Sequence, residues 1–544
     1  MREAATPSLS TSLAPGVQQF DAIVIGAGFG GLYMLRKLRD EMNLNVRAFD
    51  RASDVGGTWY WNRYPGALSD SESVVYRYSF DENLLKEWMW NTRYLEQPQI
   101  MAYLSHVADR FDLRRSIEFE VGIASAVFDE DQAIWHVTTD AGEALTARFV
   151  VAAVGPLAAT NIPDIPGLDA FEGEMFHTSK WPEKVDLDGK RVGVIGTGST
   201  GIQLITAIAP QVAQLTVFQR SPQYSVPVGN GPVSDEYLED IQANYQQIWE
   251  DVRNSAFAMG FKESPVVTMS VSPEEREAIF EKAWQKGGGF RYAFETFCDI
   301  LIDPEANNAA AEFIRRKIAQ IVKDPEIAKR LTPADFYVKR PLCDSGYFET
   351  FNRKNVSLID VKANPIAAIT QKGIKLTDGS ESELDVIVFA TGFDAVDGNF
   401  KKIDIRGRKA LTLIEHWSEG AASYLGVATA GFPNFFMIAG PLMPFSNFPP
   451  LLEMQVRLIG DLIAHTPSNK GSTVEATQEA EDAWVEECAV MASQLLLTKS
   501  DSWIFGANIP GKPRRVLFHV GGVGMFQNTV ADMKANDFSG FHFA

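Results

Sequence analysis

From Phe20 onward, short apolar runs alternate with stretches of helical spacing. Ala22 to Ile25 are four consecutive apolar residues closed by a glycine, the pattern of a parallel strand buried on both faces. Leu32, Leu35 and Leu38 follow at helical spacing, and Val46 to Phe49 form a second strand that ends at Asp50. Val192 to Ile195 and Leu215 to Phe218 repeat the strand pair later in the chain, and Phe149 to Val154 and Val386 to Ala390 are two more apolar runs, each followed by a glycine-containing turn. Between about Val233 and Pro333 the pattern is helical, in DEYLEDIQANYQQIWEDV, PEEREAIFEKAWQ and NNAAAEFIRRKIAQIV, and a further amphipathic helix is predicted over Gln455 to His465. No repeat beyond the two strand–helix–strand units is evident.

The turn in each unit carries chemistry. Gly26, Gly28 and Gly31 form GxGxxG between the first strand and its helix, and Asp50 lies 19 positions after Gly31. The glycines permit a tight turn and close approach of backbone to a pyrophosphate at a helix N-terminus, and an acid at about 20 residues' distance binds a ribose 2′-hydroxyl. Gly196, Gly198 and Gly201 repeat the fingerprint, but there Arg220 stands 19 positions after the last glycine. A guanidinium binds a 2′-phosphate that a carboxylate would repel; the bland alternative is a solvated strand-end arginine. One acid and one arginine imply a bound flavin, FAD, beside an exchanging NADP(H).

The predicted class is α/β: two Rossmann-like dinucleotide-binding domains with an inserted helical subdomain. The expected layout is a disordered lead-in over 1–19, an FAD domain from 20–152 and 386–544, an NADP domain from 153–225 and 335–385, and the helical insertion over 226–334. A length of 544 residues suits several domains. The net charge of −20 argues against nucleic acid or an anionic membrane as partner. Cys298, Cys343 and Cys488 are too far apart for a CxxC redox pair, which removes a dithiol reductase, and the seven histidines form no ligand-spaced cluster, so no metal is expected. With no apolar run of about 18 residues, the cytoplasm is the default; the oligomeric state is not legible, and a monomer is the simplest expectation.

Longer patterns carry a family resemblance. FEGEMFHTSKWP (Phe171 to Pro182) matches the FxGxxxHxxxWP fingerprint of Baeyer–Villiger monooxygenases, and GGTWYWNRYPGALSD (Gly56 to Asp70) fits the second long motif of that family. KRPLCDSGY (from Lys339), ATGFDAVDGN (from Ala390) and DSWIFGANIPGK (from Asp501) extend the resemblance to the cyclohexanone monooxygenase branch along nearly the whole chain. The resemblance implies that NADPH reduces the flavin, that O2 then gives a C4a-peroxyflavin, and that a small hydrophobic ketone becomes an ester or lactone, with sulfoxidation as a side activity.

By that resemblance Arg340 is the fixed positive donor beside the reacting oxygen, and Asp70 is the carboxylate that orients it. Arginine suits the task because it stays charged and presents a rigid fork. Gly57, Thr58, Trp59, Asn62 and Tyr76 join Gly26, Gly28, Phe29, Gly31 and Asp50 around FAD, although Trp59 and Tyr76 also suit ordinary packing. Thr197, Ser199, Thr200 and Gln203 join Gly196, Gly198 and Gly201 around NADP. Lys339 and Ser221 join Arg220 at the 2′-phosphate, and Trp503 closes over the nicotinamide or is a core tryptophan. His177 sits in a linker, where a structural role is favoured over proton transfer.

The implied substrate pocket comprises Leu157, Phe290, Leu442, Met443, Phe445, Ser446, Phe448 and Phe518. One departure stands out: the family commonly reads GPNGPF where this chain has GPLMPF, Gly440 to Phe445. The loss of a glycine is expected to alter the loop, and Phe448, where a leucine is usual, to narrow the pocket. Two rival readings remain: a flavin monooxygenase acting on sulfides or amines, and a non-catalytic FAD/NADP-binding sensor.

Overall fold

The computed structural model describes residues 17–544. Most of the expected lead-in lies outside the described residues, and its end needs correction: Gln18 and Gln19 already belong to the first strand, Gln18–Ile25, in register with Leu145 and Thr146.

Two sheets dominate. The first runs Asp404–Arg406, Ile123–Asp129, Ile134–Thr139, Ala144–Ala152, Gln18–Ile25, Val46–Asp50 and Ile117–Phe119, with Phe435–Met437 beside the far half of Ala144–Ala152. The second is fully parallel: Val356–Asp360, Gln214–Gln219, Arg191–Ile195, Val386–Phe389 and Glu174–His177. Sheets of this kind are covered on both faces, so their central strands read as unbroken apolar runs. Ala22, Ile23 and Val24 are fully buried, as are Val192 and Val194. The assignment of 386 onward to the first domain is corrected at its start. Val386–Phe389 pairs with Arg191–Ile195 in the second sheet, because a four-residue apolar run does not reveal which parallel neighbour it will find.

The region over 226–334 is largely helical as expected, with finer grain. The predicted helix from Asp235 breaks into Asp235–Ala243 and Tyr245–Asn254. Pro273–Lys286, Pro304–Ile321 and Pro325–Leu331 each start at a Ser–Pro or Asp–Pro step, where Ser272, Asp303 and Asp324 accept hydrogen bonds from first-turn N–H groups. Proline suits a first turn because its missing N–H would have no partner there. Phe280, Tyr292, Phe297 and Phe313 of this insertion share one core with Val192, Val194 and Val217. The C-terminal helix predicted from Gln455 begins earlier, at Phe448 (Phe448–His465), and packs with the first sheet. Among the described residues no helix is long and apolar enough to cross a membrane.

Candidate active site

The two fingerprints form the turns that the spacing requires. Gly26 sits at φ +110°, and a Cβ on it would lie 2.4 Å from Ala153 O. A Cβ on Gly31 would lie 1.9 Å from Gly26 O, so no side chain fits between the turn and the helix Phe29–Arg36. The second unit repeats this: Gly196 is at φ +108°, and a Cβ on Gly201 would lie 2.3 Å from Gly196 O. Neither helix has a side-chain cap, at Gly28 or at Gly198, which leaves first-turn N–H groups directed at an anion. Asp50 is held in place at the end of its strand: Oδ2 accepts from Ala27 N–H (2.6 Å) and Oδ1 from Ala52 N–H (2.8 Å). Burial raises its carboxyl pKa, while these two N–H bonds oppose the rise.

A cavity of about 580 Å³ opens from the first fingerprint. Gly26, Gly28, Phe29, Asp50, Gly57, Thr58, Trp59, Asn62 and Tyr76 line it. Ser199, Thr200 and Gln203 reach it from the second unit, and Asp70, Arg340 and Trp503 complete its polar and aromatic wall. Trp59 Nε1 donates to Tyr76 Oη at 2.9 Å, so the two rings stand as a fixed edge-on pair. The expected pocket residues Leu157, Phe290, Phe445, Ser446, Phe448 and Phe518 line the same cavity. The nearby glycine cradle, the held acid and the aromatic walls fit a flavin dinucleotide.

The other expected residues lie outside that cavity. Gly31, Gly196, Thr197, Gly198 and Gly201 shape the turns, Thr197 through a 3.1 Å hydrogen bond from its Oγ1 to Ser221 O. Arg220 is exposed beyond the end of Gln214–Gln219. Lys339 lines a small adjoining cleft with Tyr224, Tyr337 and Arg340.

Leu442 and Met443 are a correction. Both are fully buried in the core rather than facing the cavity. Leu442 donates its N–H to Leu517 O (2.8 Å) and accepts from Trp484 Nε1 (3.2 Å), and Met443 pairs with Phe518. The left-handed backbone falls on Leu442, at φ +62°, a conformation that asparagine tolerates and that costs other residues about 1–2 kcal/mol. Met443 is in strand conformation, so the missing glycine costs the loop no needed freedom.

Arg340 and Asp70 come together across 270 residues of chain. Arg340 Nη2 is 2.7 Å from Asp70 Oδ1, and the guanidinium lies 5.5 Å from the centroid of the Phe290 ring. Asp70 belongs to Leu68–Glu72, a strand whose pairing with Tyr94–Glu96 is interrupted by a bulge. Such irregularity re-aims side chains. The pair is partly buried, at 27% and 12% side-chain exposure, so the charge is neither fully solvated nor cut off from a ligand.

His177 does not sit in a linker as expected: it ends the strand Glu174–His177 of the second sheet and reaches the turn that follows Val386–Phe389. Its Nδ1 accepts from Ser179 N–H (3.1 Å), which leaves the proton on Nε2, 3.1 Å from Gly392 O. Burial pushes its pKa down to about 4. A neutral imidazole held on both sides ties the end of this strand to the turn after its neighbour.

Several cavity residues escaped sequence reasoning. Tyr64, which donates to Gln203 Oε1 at 2.8 Å, lies inside the Gly56–Asp70 motif and was there to be found. Met259 and Asn447 also line the cavity, and nothing local to either marks it.

Comparison with known proteins agrees with this geometry. A model of flavin-binding monooxygenase-like proteins matches residues 21–227. A Baeyer–Villiger monooxygenase of Pseudooceanicola batsensis is 55% identical over 520 residues, covering 96% of this chain and 95% of the relative. The chain belongs to the Baeyer–Villiger monooxygenases. Members of this family are flavoprotein oxidoreductases, and the two fingerprints account for FAD and NADP(H). The crystal structure of cyclohexanone monooxygenase from Rhodococcus sp. Phi1 bound to NADP+ superposes with a TM-score of 0.95 at 55% identity, covering 97% of this chain and 99% of that one. A phenazine N-monooxygenase of Lysobacter antibioticus is also similar, 52% identical over 522 residues and 96% of each chain.

Proposed function

We propose that this Baeyer–Villiger monooxygenase is NADPH- and O2-dependent and converts small hydrophobic ketones, cyclic ones foremost, to lactones or esters. One oxygen atom of O2 enters the product and the other leaves as water. The observation that carries the reading is the Arg340–Asp70 pair, 2.7 Å apart, set in a cavity whose wall includes Leu157, Phe290, Phe445, Phe448 and Phe518.

When bound, the flavin supplies the activation of dioxygen. The protein's part is to bind, orient and stabilise charge. Arg340 faces the cavity as a permanent cation, suited to stabilising negative charge on a reacting oxygen or on the carbonyl oxygen of a ketone under attack. Asp70 fixes the direction of the guanidinium. The aromatic wall makes this part of the cavity apolar, and water displaced from it by a bound ketone strengthens the charge interactions that remain inside. Gly26, Gly28, Gly31 and Asp50 are assigned to FAD, with Gly57, Thr58, Trp59, Asn62 and Tyr76 around its ring system. Ser199, Thr200, Gln203, Arg220, Ser221 and Lys339 are assigned to NADP(H), and Trp503 to its nicotinamide side. Unpaired Cys298, Cys343 and Cys488 fit a reducing cytoplasm.

A second reading is oxygenation of nitrogen or sulfur, favoured by the 52% identity to a phenazine N-monooxygenase. A panel of cyclic ketones, aryl sulfides and aromatic N-heterocycles, with products identified by mass spectrometry, separates the two. Lactones as the main products support the ketone reading; N-oxides or sulfoxides without lactones overturn it.

A further inference from the structure

Two residues beyond Asp70 on the same strand, Glu72 is 5% exposed and carries a second carboxylate–guanidinium bridge. Arg291 grips it with both arms of its fork, Nε to Oε1 at 2.6 Å and Nη2 to Oε2 at 2.8 Å. Arg93 Nη2 adds a third contact at 2.8 Å, and Glu295 balances Arg291 Nη1 at 2.9 Å. Burial alone would raise the Glu72 carboxyl pKa; the two guanidiniums outweigh it and hold the group below the ordinary range.

What this bridge holds is informative. Arg291 belongs to Gly289–Phe294, a helix of six residues that also carries Phe290, the ring beneath the Arg340 guanidinium. Adjacent helical residues diverge by about 100°, so Arg291 meets the strand while Phe290 meets the cavity. The chain enters the helix through two consecutive glycines of positive φ, Gly287 at +78° and Gly288 at +98°, whose N–H groups donate to Ala283 O (2.9 Å) and Pro227 O (2.8 Å). Its first residue is pressed against the Arg340 segment: a Cβ on Gly289 would lie 2.7 Å from Pro341 O and 2.8 Å from Leu342 O. One strand therefore reaches two segments through two carboxylates, Asp70 to Arg340 itself and Glu72 to the helix that packs Phe290 against it.

We propose that Glu72 is a positioning residue for oxygen transfer: by gripping Arg291 it sets where Phe290 stands against Arg340 and thereby shapes the end of the cavity that receives the substrate. The proposal rests on the ketone reading above. It concerns the strand-to-helix clamp and requires no contact between Glu72 and substrate.

The test uses the full-length, FAD-loaded enzyme with Glu72→Gln, which keeps shape and loses charge, and Arg291→Lys, which keeps charge and loses the fork. Bound FAD per chain, unfolding temperature, ketone KM, kcat and product formed per NADPH are measured for each. A reacting geometry loosened by a fraction of an ångström gives, in Glu72→Gln, a ketone KM raised about 3–10-fold and product per NADPH lowered about twofold or more, the remainder appearing as hydrogen peroxide. FAD content stays at the wild-type level, and Arg291→Lys moves the same way by less. Wild-type KM and coupling in folded Glu72→Gln overturn the proposal; so does a loss that merely tracks lost FAD. Should Glu72→Gln fail to fold, Arg291→Lys decides by the same criteria. Each variant is run with a cyclic ketone and with an aryl sulfide as a ratio to wild type. A wild type inert toward ketones sinks the ketone reading alone, and the sulfide ratios then judge the clamp.

Discussion

Arg340→Met removes the cation and keeps most of the side chain's length, which makes it the sharpest perturbation of the proposed chemistry. A fixed donor at a developing oxyanion is worth about 10²–10³ in kcat. The Arg340 side chain is 27% exposed, so water can take over part of its role, and the lower end, about 100-fold, is the expected loss of ketone oxygenation. Asp70→Asn is the graded companion. It keeps an oxygen to accept from Arg340 Nη2 but removes the charge assistance in the 2.7 Å contact, for an expected loss of about tenfold, or 1.4 kcal/mol. Both variants keep FAD, because the fingerprint and Asp50 sit on other segments. Lactone formation by mass spectrometry is followed with NADPH and hydrogen peroxide in the same samples. The expected outcome is continued NADPH consumption that yields peroxide in place of lactone. Lactone formation within threefold of wild type in Arg340→Met, a factor worth only about 0.6 kcal/mol, refutes the role assigned to the guanidinium.

Three further outcomes follow from the geometry. Gly31→Ala places a methyl 1.9 Å from Gly26 O; the purified protein is expected to lack the flavin absorbance near its visible maximum, and a full FAD complement shows the turn to be more tolerant than argued. Arg220→Ala should raise the KM for NADPH about 10–100-fold with NADH kinetics little changed, the size of a lost charge-assisted phosphate contact, and equal effects on both cofactors count against the 2′-phosphate assignment. The third concerns pH. Burial lowers the pKa of both His177 and His519 to about 4. The unfolded chain takes up protons first as pH falls below about 6.5, so stability is complete above that pH and is lost progressively down to about 4, on the order of 3 kcal/mol for each histidine. His519 has no hydrogen-bond partner on either ring nitrogen and stacks on Trp484 at 4.8 Å. His519→Phe keeps the stack, so urea unfolding at pH 8 and pH 5 should show a visibly smaller difference in the variant. An unchanged difference means that His519 does not titrate in this way.

Local sequence suffices wherever one short segment carries the whole physical requirement. The GxGxxG turns at Gly26 and Gly196, and the placing of Asp50 at the end of its strand and Arg220 just past the end of its own, are of this kind, because a turn and its flanking strands are satisfied by neighbours in sequence. The long motif from Gly56 to Asp70 brought Trp59, Asn62 and Asp70 to the cavity, as expected. The errors share one cause. Leu442 and Met443 are expected at the pocket because they replace the family's Asn–Gly, yet both are fully buried away from the cavity, where the Leu442 backbone bonds Leu517 O and Trp484 Nε1 and the Met443 backbone pairs with Phe518. Val386–Phe389 was apolar enough for either sheet, and only the packed arrangement of parallel neighbours chose the second.

The amino-acid order alone therefore determined that two glycine fingerprints of the dinucleotide-binding kind exist, that an acid follows one and an arginine the other at the same distance, and which long motifs the chain shares with its family. Tertiary structure decided what those motifs face. Arg340 meets Asp70, and Arg291 meets Glu72, across more than 200 residues, and no periodicity or cap encodes such a meeting. A guanidinium finds its carboxylate only after burial has removed competing water and the sheets have brought distant strands and helices together.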